Sequence, residues 1–387
     1  MKMKIAYITA AEILGPQNTG GIQCCSRNLN ILKQAFGERN VYVCAITKHK
    51  EHLSKSSENT KVFYSGRSKL SILKNSLSGR LQFGKSVENA VLNHVKSLRV
   101  DVVFIEFSRM GFLQEQFPKG IRQILFMHNI EPEYVKNLIH RHPAYIVLKK
   151  AFKRNEALAV KHADAIISLN YRDAEKLNQY YGKTPDLILP ISMDDEFVRY
   201  TSDKEKSQPQ KLQLLFVGSL FPPNEQGVTW FAKKVMPHIN AEFTIVGRDF
   251  EKLKGKLQKY HSNIKVIGTV DDPTHYYHYA DAVVSPIHTG AGMKVKTAEA
   301  LMYGKPMFAT DEALEGYDVD GQKNIFRCNS PQDFISAINN YAENPPYTAV
   351  DEDIRTLFLD KYHTPNYMPI IHETIVTAHG LPEKIFF

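Results

Sequence analysis

At 387 residues the chain exceeds the length over which one hydrophobic core normally keeps growing, so two domains of about 180 residues each are expected. Its 43% apolar and 23% charged residues exclude long disorder, and four cysteines, at 24, 25, 44 and 328, show neither zinc spacing nor the density of a disulfide scaffold. A net charge of +8 favours anionic partners; without a nucleic-acid module beside it, the expected ones are an anionic membrane face or an acidic glycan or lipid-linked substrate.

The opening MKMKIAYITA is basic and apolar, but the run breaks at Glu12 and Pro16, too early for a signal peptide. No segment offers the roughly 20 apolar residues that span a bilayer. A reducing, cytoplasmic setting is expected, with Cys24 and Cys25 as small buried helix residues and any membrane contact peripheral, at the inner face.

Strand and helix then alternate. Apolar, β-branched and aromatic runs at Lys4–Thr9, Val41–Thr47, Asp101–Glu106, Arg122–His128 and Ala163–Leu169, with a shorter one at Lys61–Ser65, read as buried strands of a parallel sheet covered on both faces. The first strand leads into a loop ending at Gly20 and Gly21 and then a helix around Ser26–Phe36, a ligand-binding corner by position. Val87–Leu98 is a helix, and Lys69–Phe83, rich in Ser, Lys and Gly, is a candidate acceptor or membrane contact. Glu131–Val160 is helical with a break at Pro143, and Asn170–Tyr181 forms the next helix. The polar TSDKEKSQPQK, 201–211, reads as a linker between domains 1–200 and 212–350.

A second series follows, with strands at Leu212–Gly218, Phe243–Gly247, Ile264–Gly268, Ala282–Pro286, Pro306–Thr310 and Asn324–Cys328. Helices around Glu225–Val235, Phe250–Tyr260, Thr274–Tyr279, Lys294–Tyr303 and Pro331–Ala342 fill the intervals, so a second α/β domain repeats the first. Residues 351–387 add a helix at Asp351–Lys361 and an aromatic tail expected to dock on the body.

Ser285 to Glu315 carries the most chemistry. Gly290 and Gly292 let the backbone turn tightly, while Lys294 and Lys296 bring positive charge to a helix start whose N–H groups already favour anions. This pattern suits phosphate. Glu299 lies one turn beyond Lys296, where a carboxylate can accept from two adjacent ribose hydroxyls, which points to a nucleotide. An amphipathic helix with solvated lysines is the plainer alternative.

In this order, VGSLFPPNEQGVTWF (217–231), IVGRD (245–249), IGTVDD (267–272) and GAGMKVKTAEALMYGKPMFAT (290–310) resemble the retaining, family 4-like (group 1) glycosyltransferases, which include many bacterial polysaccharide and lipid-glycan transferases. The resemblance spans essentially the whole chain. It implies an α/β GT-B fold, two facing Rossmann-like domains with parallel sheets, and a C-terminal helix within Tyr362–Ile375 that crosses back to the first domain. It also implies a nucleoside diphosphate sugar, of UDP or GDP, bound mainly by the second domain, and a glycan or lipid-linked acceptor bound mainly by the first.

Residue by residue, the resemblance implies Glu299 on the ribose and Lys296 on the diphosphate or sugar. Gly290, Ala291, Gly292 and Met293 supply backbone donors, and Gly20 and Gly21 close over the phosphates. His128 approaches the transferred sugar, with Asn129 after it toward the acceptor, a buried histidine fixing the loop Asn129–Glu133 being the alternative; Glu106, also at a strand end, is an acceptor-site candidate or else a helix-capping or surface charge. Two departures stand out. Ala291 occupies a position where many relatives carry a first glutamate, and the loop of Gly218, Ser219 and Asn224 lacks the usual Arg and Lys. Lys294, Lys296 or Arg248 is expected to supply that charge. No D-x-D metal signature is present, so a reaction without metal or cofactor is expected, the leaving diphosphate being neutralised by a helix N-terminus and basic side chains. A sugar-nucleotide epimerase or hydrolase, and a noncatalytic nucleotide-sugar binder, are the alternatives.

Overall fold

The computed structural model describes residues 3–15, 19–66, 79–139, 144–198, 211–343 and 350–377. The Pro143 break, most of the 201–211 linker and much of the Lys69–Phe83 segment lie outside them. Contacts divide the chain into two units, Met1–Pro190 with Thr364–Phe387, and Ile191–His363.

The first unit is built on seven strands, β1 (Ile5–Thr9), β2 (Val41–Thr47), β3 (Thr60–Tyr64), β4 (Val102–Glu106), β5 (Arg122–Met127), β6 (Ala165–Ser168) and β7 (Leu187–Ile188). They pair in the order β3-β2-β1-β4-β5-β6-β7, and every pair is parallel. All five residues of β1 and of β4 are buried, as a strand covered on both faces requires. The crossovers carry α1 (Gly20–Phe36), α2 (Lys85–Leu98), α3 (Gly111–Gln114), α4 (Glu131–Ile139), α5 (Ala144–His162) and α6 (Tyr171–Tyr181). On α2, Val91, Leu92 and Val95 recur at helical spacing and pack with Ile8, Val103 and Ile105 in one core cluster. Asn170 ends the run before α6 and caps it, its side chain accepting from the Asp173 N–H at 2.8 Å.

The second unit holds β8 (Leu212–Val217), β9 (Ala241–Val246), β10 (Ile264–Gly268), β11 (Ala282–Ser285), β12 (Met307–Ala309) and β13 (Ile325–Arg327), ordered β10-β9-β8-β11-β12-β13 and again parallel throughout. Its helices are α7 (Pro222–Lys234), α8 (Lys254–Gln258), α9 (Thr274–Tyr279), α10 (Val295–Met302), α11 (Asp311–Leu314), α12 (Pro331–Glu343) and α13 (Glu352–Lys361). Gly218 and Gly247 end β8 and β9 with φ of 158° and 142°, and a Cβ on Gly247 would lie 2.1 Å from the Gly218 carbonyl oxygen. Only glycine permits that approach.

The sequence divides the chain at 200 and 350, whereas the contacts divide it at 190 and 363. Arg355 on α13 explains the difference, because it pairs with Asp195 at 2.7 Å and donates to the Met302 carbonyl at the end of α10 at 2.5 Å. The last helix, α14 (Met368–Thr377), belongs to the first unit. There Arg122 donates to the carbonyls of Ile375 and Val376 at 3.0 Å, and His372 stacks on Phe36 of α1 at 4.8 Å. Among the described residues, no helix is long and apolar enough to cross a membrane.

Candidate functional site

In each sheet the strand order reverses once, between β1 and β4 and between β8 and β11. Ligands of doubly wound sheets bind outside the carboxyl ends of the strands at such a reversal. The side chains singled out from the sequence gather at these ends.

In the second unit, Lys296 sits in the first turn of α10, half-buried, with Nζ donating to Asn224 Oδ1 at 2.5 Å and lying 4.8 Å from the centre of the Phe216 ring. Asn224 is buried in the first turn of α7 and itself donates to the Ser219 carbonyl at 2.8 Å. A Cβ on Gly218 would stand 3.2 Å from Lys296 Nζ, so the glycine leaves the space that the ammonium uses. Burial, and secondarily the nearby Lys294 charge, push the Lys296 amine down to about 7. The loop that lacks the usual basic pair therefore still meets one cation, reached from α10.

One turn along, Glu299 Oε2 accepts from the Tyr277 hydroxyl at 3.0 Å, and Tyr277 is stacked on Tyr303 at 4.4 Å. This fixes the carboxylate from behind. Lys294 does not share the role of Lys296, because its Nζ is tied to Glu312 at 2.6 Å and to the Gly292 carbonyl at 2.7 Å. Arg248 is exposed, its nearest charge being Asp249 at 3.8 Å. Gly292 takes a left-handed φ of 63°, Gly290 and Ala291 are partly exposed beside it, and the buried Met293 sulfur accepts from the Ile191 N–H.

In the first unit, α1 begins at Gly20, six residues earlier than the sequence suggests. Thr19 provides no side-chain cap, the first turn holds no acidic residue, and a Cβ on Gly21 would meet nothing within 4 Å. Among the described residues the first turn of α1 therefore has no side-chain partner, an arrangement that suits an anion.

His128 follows β5 and is buried, its Nε2 2.6 Å from Glu106 Oε2 and 3.7 Å from Cys25 Sγ. Its ring stacks on Phe107 at 4.1 Å. Phe107 has φ of 73°, a conformation that costs a non-glycine residue about 1–3 kcal/mol and that the surrounding packing must hold. Burial opposes charging of His128, but the negative groups around its ring, of which the Glu106 carboxylate at 2.6 Å is nearest, outweigh it and raise its pKa well above the ordinary value.

The sequence places Glu106 among the acceptor candidates, and in the structure its carboxylate is enclosed by side chains of its own unit. Glu106 is fully buried, with Oε1 accepting from Tyr7 and Asn28 at 3.0 and 2.9 Å and Oε2 facing His128. Asn129 is partly exposed, and its buried Oδ1 has no hydrogen-bond partner among the described residues. Cys25, Glu106 and His128 also lie close enough together to hold a metal ion. Burial and the Glu106 charge push the Cys25 thiol up to about 12. Tyr7, Asn28, Cys25, Phe107, Phe216, Tyr277 and Glu312 are the members that sequence reasoning missed. Each is recognisable only through a partner distant in sequence.

Residues 211–344 match the family model described as "Glycosyl transferases group 1". No curated protein matches the sequence. Among solved structures, the chain is similar to a sucrose-phosphate synthase from Thermosynechococcus elongatus, at 13% identity and a TM-score of 0.73 over 97% of this chain and 98% of that one. It is also similar to Anabaena HepE in complex with UDP and glucose (16%, 0.70, 97% and 100%) and to WaaG, a glycosyltransferase involved in lipopolysaccharide biosynthesis (16%, 0.67, 97% and 100%). With two parallel Rossmann-like sheets, matched along nearly their whole length, the chain has the GT-B fold, and its second unit is related to the group 1 glycosyltransferases.

Proposed function

We propose that the protein is a retaining glycosyltransferase that moves a hexose-like sugar from a nucleoside diphosphate sugar, of UDP or GDP, to a hydroxyl of a glycan or lipid-linked acceptor in cell-surface polysaccharide or glycolipid synthesis. The observation that carries this reading is the head of α10, where a half-buried lysine meets a helix N-terminus and a carboxylate lies one turn further along. The solved structure of Anabaena HepE, similar in fold, contains UDP and glucose, which supports a nucleotide sugar as donor.

In this mechanism Glu299 grips the ribose and Lys296 meets the diphosphate. The bond between the anomeric carbon and the diphosphate oxygen breaks as the acceptor oxygen bonds to the same face of that carbon, and the acceptor proton passes to the departing phosphate oxygen. Charge grows on the diphosphate along this path. The Lys296 amine, depressed to about 7, takes up a proton from solvent when the diphosphate binds, and the resulting ammonium meets the growing charge of the transition state more strongly than the ground state. His128, held by Glu106 and Phe107, and the neighbouring Asn129 are the first unit's candidates for contact with sugar and acceptor. Glu106 acts here through His128. A peripheral contact with an anionic membrane face fits the charge of +8 and a lipid-linked acceptor.

The test is a panel of UDP, GDP and ADP sugars, incubated with oligosaccharide and lipid-linked acceptors and read by mass spectrometry. A hexose-sized mass gain on an acceptor is expected. A new sugar nucleotide, or free sugar, with no acceptor gain contradicts the reading in favour of an epimerase or hydrolase.

A further inference from the structure

In the first unit, α1, the end of β4 and the residue after β5 bring together three chemically different metal-ligating groups. Cys25 Sγ, a Glu106 carboxylate oxygen and His128 Nε2 all lie within 4.8 Å of one another, and all three residues are buried. A buried hydrogen-bonded pair would be complete with Glu106 and His128 alone. The thiol adds a soft donor 3.7 Å from the same ring nitrogen.

This spacing is close to that of a tetrahedral zinc site. Zinc holds imidazole nitrogen and carboxylate oxygen at about 2.0–2.2 Å and thiolate at about 2.3 Å, which sets a nitrogen and a sulfur ligand roughly 3.6 Å apart and a nitrogen and an oxygen ligand roughly 3.4 Å apart. The first value matches the 3.7 Å between His128 and Cys25. The second asks the 2.6 Å between His128 and Glu106 to widen by roughly 0.8 Å, as an ion takes the place of the proton between them. The outer partners are already in position, since Tyr7 and Asn28 donate to Glu106 Oε1 at 3.0 and 2.9 Å and leave Oε2 turned to the ring. One Zn²⁺, in exchange for the thiol proton and the proton between His128 and Glu106, leaves the charge of the buried cluster unchanged, and both protons pass to solvent. Mg²⁺ and Ca²⁺, which take oxygen ligands, gain nothing from the thiol or the ring. Of the three residues only His128 is touched by solvent, at 8% exposure, so the ion and a water in its fourth position come to lie beside that ring.

We infer that Cys25, Glu106 and His128 bind one Zn²⁺, and that the ion and its water, at the exposed edge of His128, keep sugar from the ring and inhibit the protein. The inhibition rests on the transferase reading; zinc binding does not.

The full, untagged chain is freed of metal and titrated with Co²⁺, which reports thiolate ligation by its absorption, and then with Zn²⁺ in competition. One equivalent of a thiolate-to-cobalt band is expected, displaced by Zn²⁺ and not by excess Mg²⁺. Cys25→Ser is expected to abolish the band, and Cys44→Ser, which removes a buried thiol on β2, to leave it unchanged. Tyr7→Phe, which removes an outer partner, is expected to weaken Zn²⁺ about tenfold. No band, a band that survives Cys25→Ser, or displacement by Mg²⁺ overturns the site. Sugar transfer, read as acceptor mass gain, is expected to fall as the site fills with Zn²⁺ and to recover on chelation; a filled site with transfer unchanged overturns the inhibition. A cobalt band in a protein that transfers no sugar from any donor contradicts the transferase reading and leaves the zinc site standing. If Cys25→Ser fails to fold by circular dichroism, Glu106→Gln decides, with a loss of Zn²⁺ affinity of at least about 100-fold expected for a direct ligand and unchanged affinity overturning the site.

Discussion

Lys296 shows how a single side chain can carry charge to a site whose loop lacks it. Its amine is depressed to about 7, because a half-buried ammonium beside Lys294 is poorly solvated and among the described residues hydrogen-bonds only to the neutral Asn224. A diphosphate reverses that balance, so above pH 7 binding must take up a proton. UDP-glucose affinity is therefore expected to fall as pH rises from 7 to 9, by up to about tenfold per unit, with proton uptake visible when calorimetry is repeated in buffers of different ionisation enthalpy. Lys296→Ala should abolish both effects, and a pH-independent wild type would remove the lysine from the diphosphate. Glu299→Ala is expected to weaken UDP about 10- to 100-fold with the fold retained, the loss of charge-assisted hydrogen bonds of about 1.5–3 kcal/mol. Unchanged affinity would end the ribose assignment. The head of α10 is legible from spacing alone, since glycines and Lys294 precede a helix that carries Lys296 and, one turn later, Glu299. The reason Lys294 stands aside is not legible there, because its partner Glu312 lies 18 residues away on another helix.

At the scale of elements, the turn after β4 and the start of α4 are pinned by one buried acid. Glu156 on α5 accepts from the Ser108 hydroxyl at 2.7 Å, the Glu131 N–H at 2.9 Å and the Tyr181 hydroxyl at 2.9 Å. Burial, and then the Glu131 charge, raise its pKa to about 7. A raised carboxylate pKa means that the folded state holds a proton which the unfolded state releases. This group therefore favours folding least above pH 7, and its contribution improves as pH falls from 7 toward 4.5. Chemical denaturation of the wild type and Glu156→Gln at pH 5 and pH 8 is expected to show the wild type losing about 2–3 kcal/mol more than the variant on going to pH 8. A constant difference would mean that Glu156 keeps an ordinary pKa. Strands and long helices are legible to within a few residues, because buried parallel strands are continuous apolar runs. The start of α1 at Gly20 is not, since two glycines read as a turn unless a ligand-facing helix end is already in view. The short α3 is likewise hidden, as four residues carry too little periodicity to announce a helix.

For the whole molecule, the alternation of strand and helix on either side of 201–211 suffices to foresee two doubly wound sheets. It does not reveal that Glu106 is buried. Its partner Tyr7 lies 99 residues away on the neighbouring strand β1, and a strand-end glutamate reads equally well as an exposed acid. The assembled cluster of Glu106, His128 and Cys25 satisfies its polar atoms among its own side chains, and in the proposed mechanism the positive charge comes from Lys296 at the head of α10. Sugar transfer is accordingly expected to proceed at an undiminished rate after exhaustive chelation, measured as acceptor mass gain. A complete loss restored by one divalent cation would contradict metal independence.

The central claim is that a nucleoside diphosphate is held at the start of α10, and a crystal structure of the protein soaked with UDP tests it most directly. The account predicts both ribose hydroxyls on the Glu299 carboxylate and the diphosphate within hydrogen-bond distance of Lys296 Nζ. A diphosphate bound away from this helix, with Lys296 still on Asn224 and Glu299 facing only Tyr277, would contradict it.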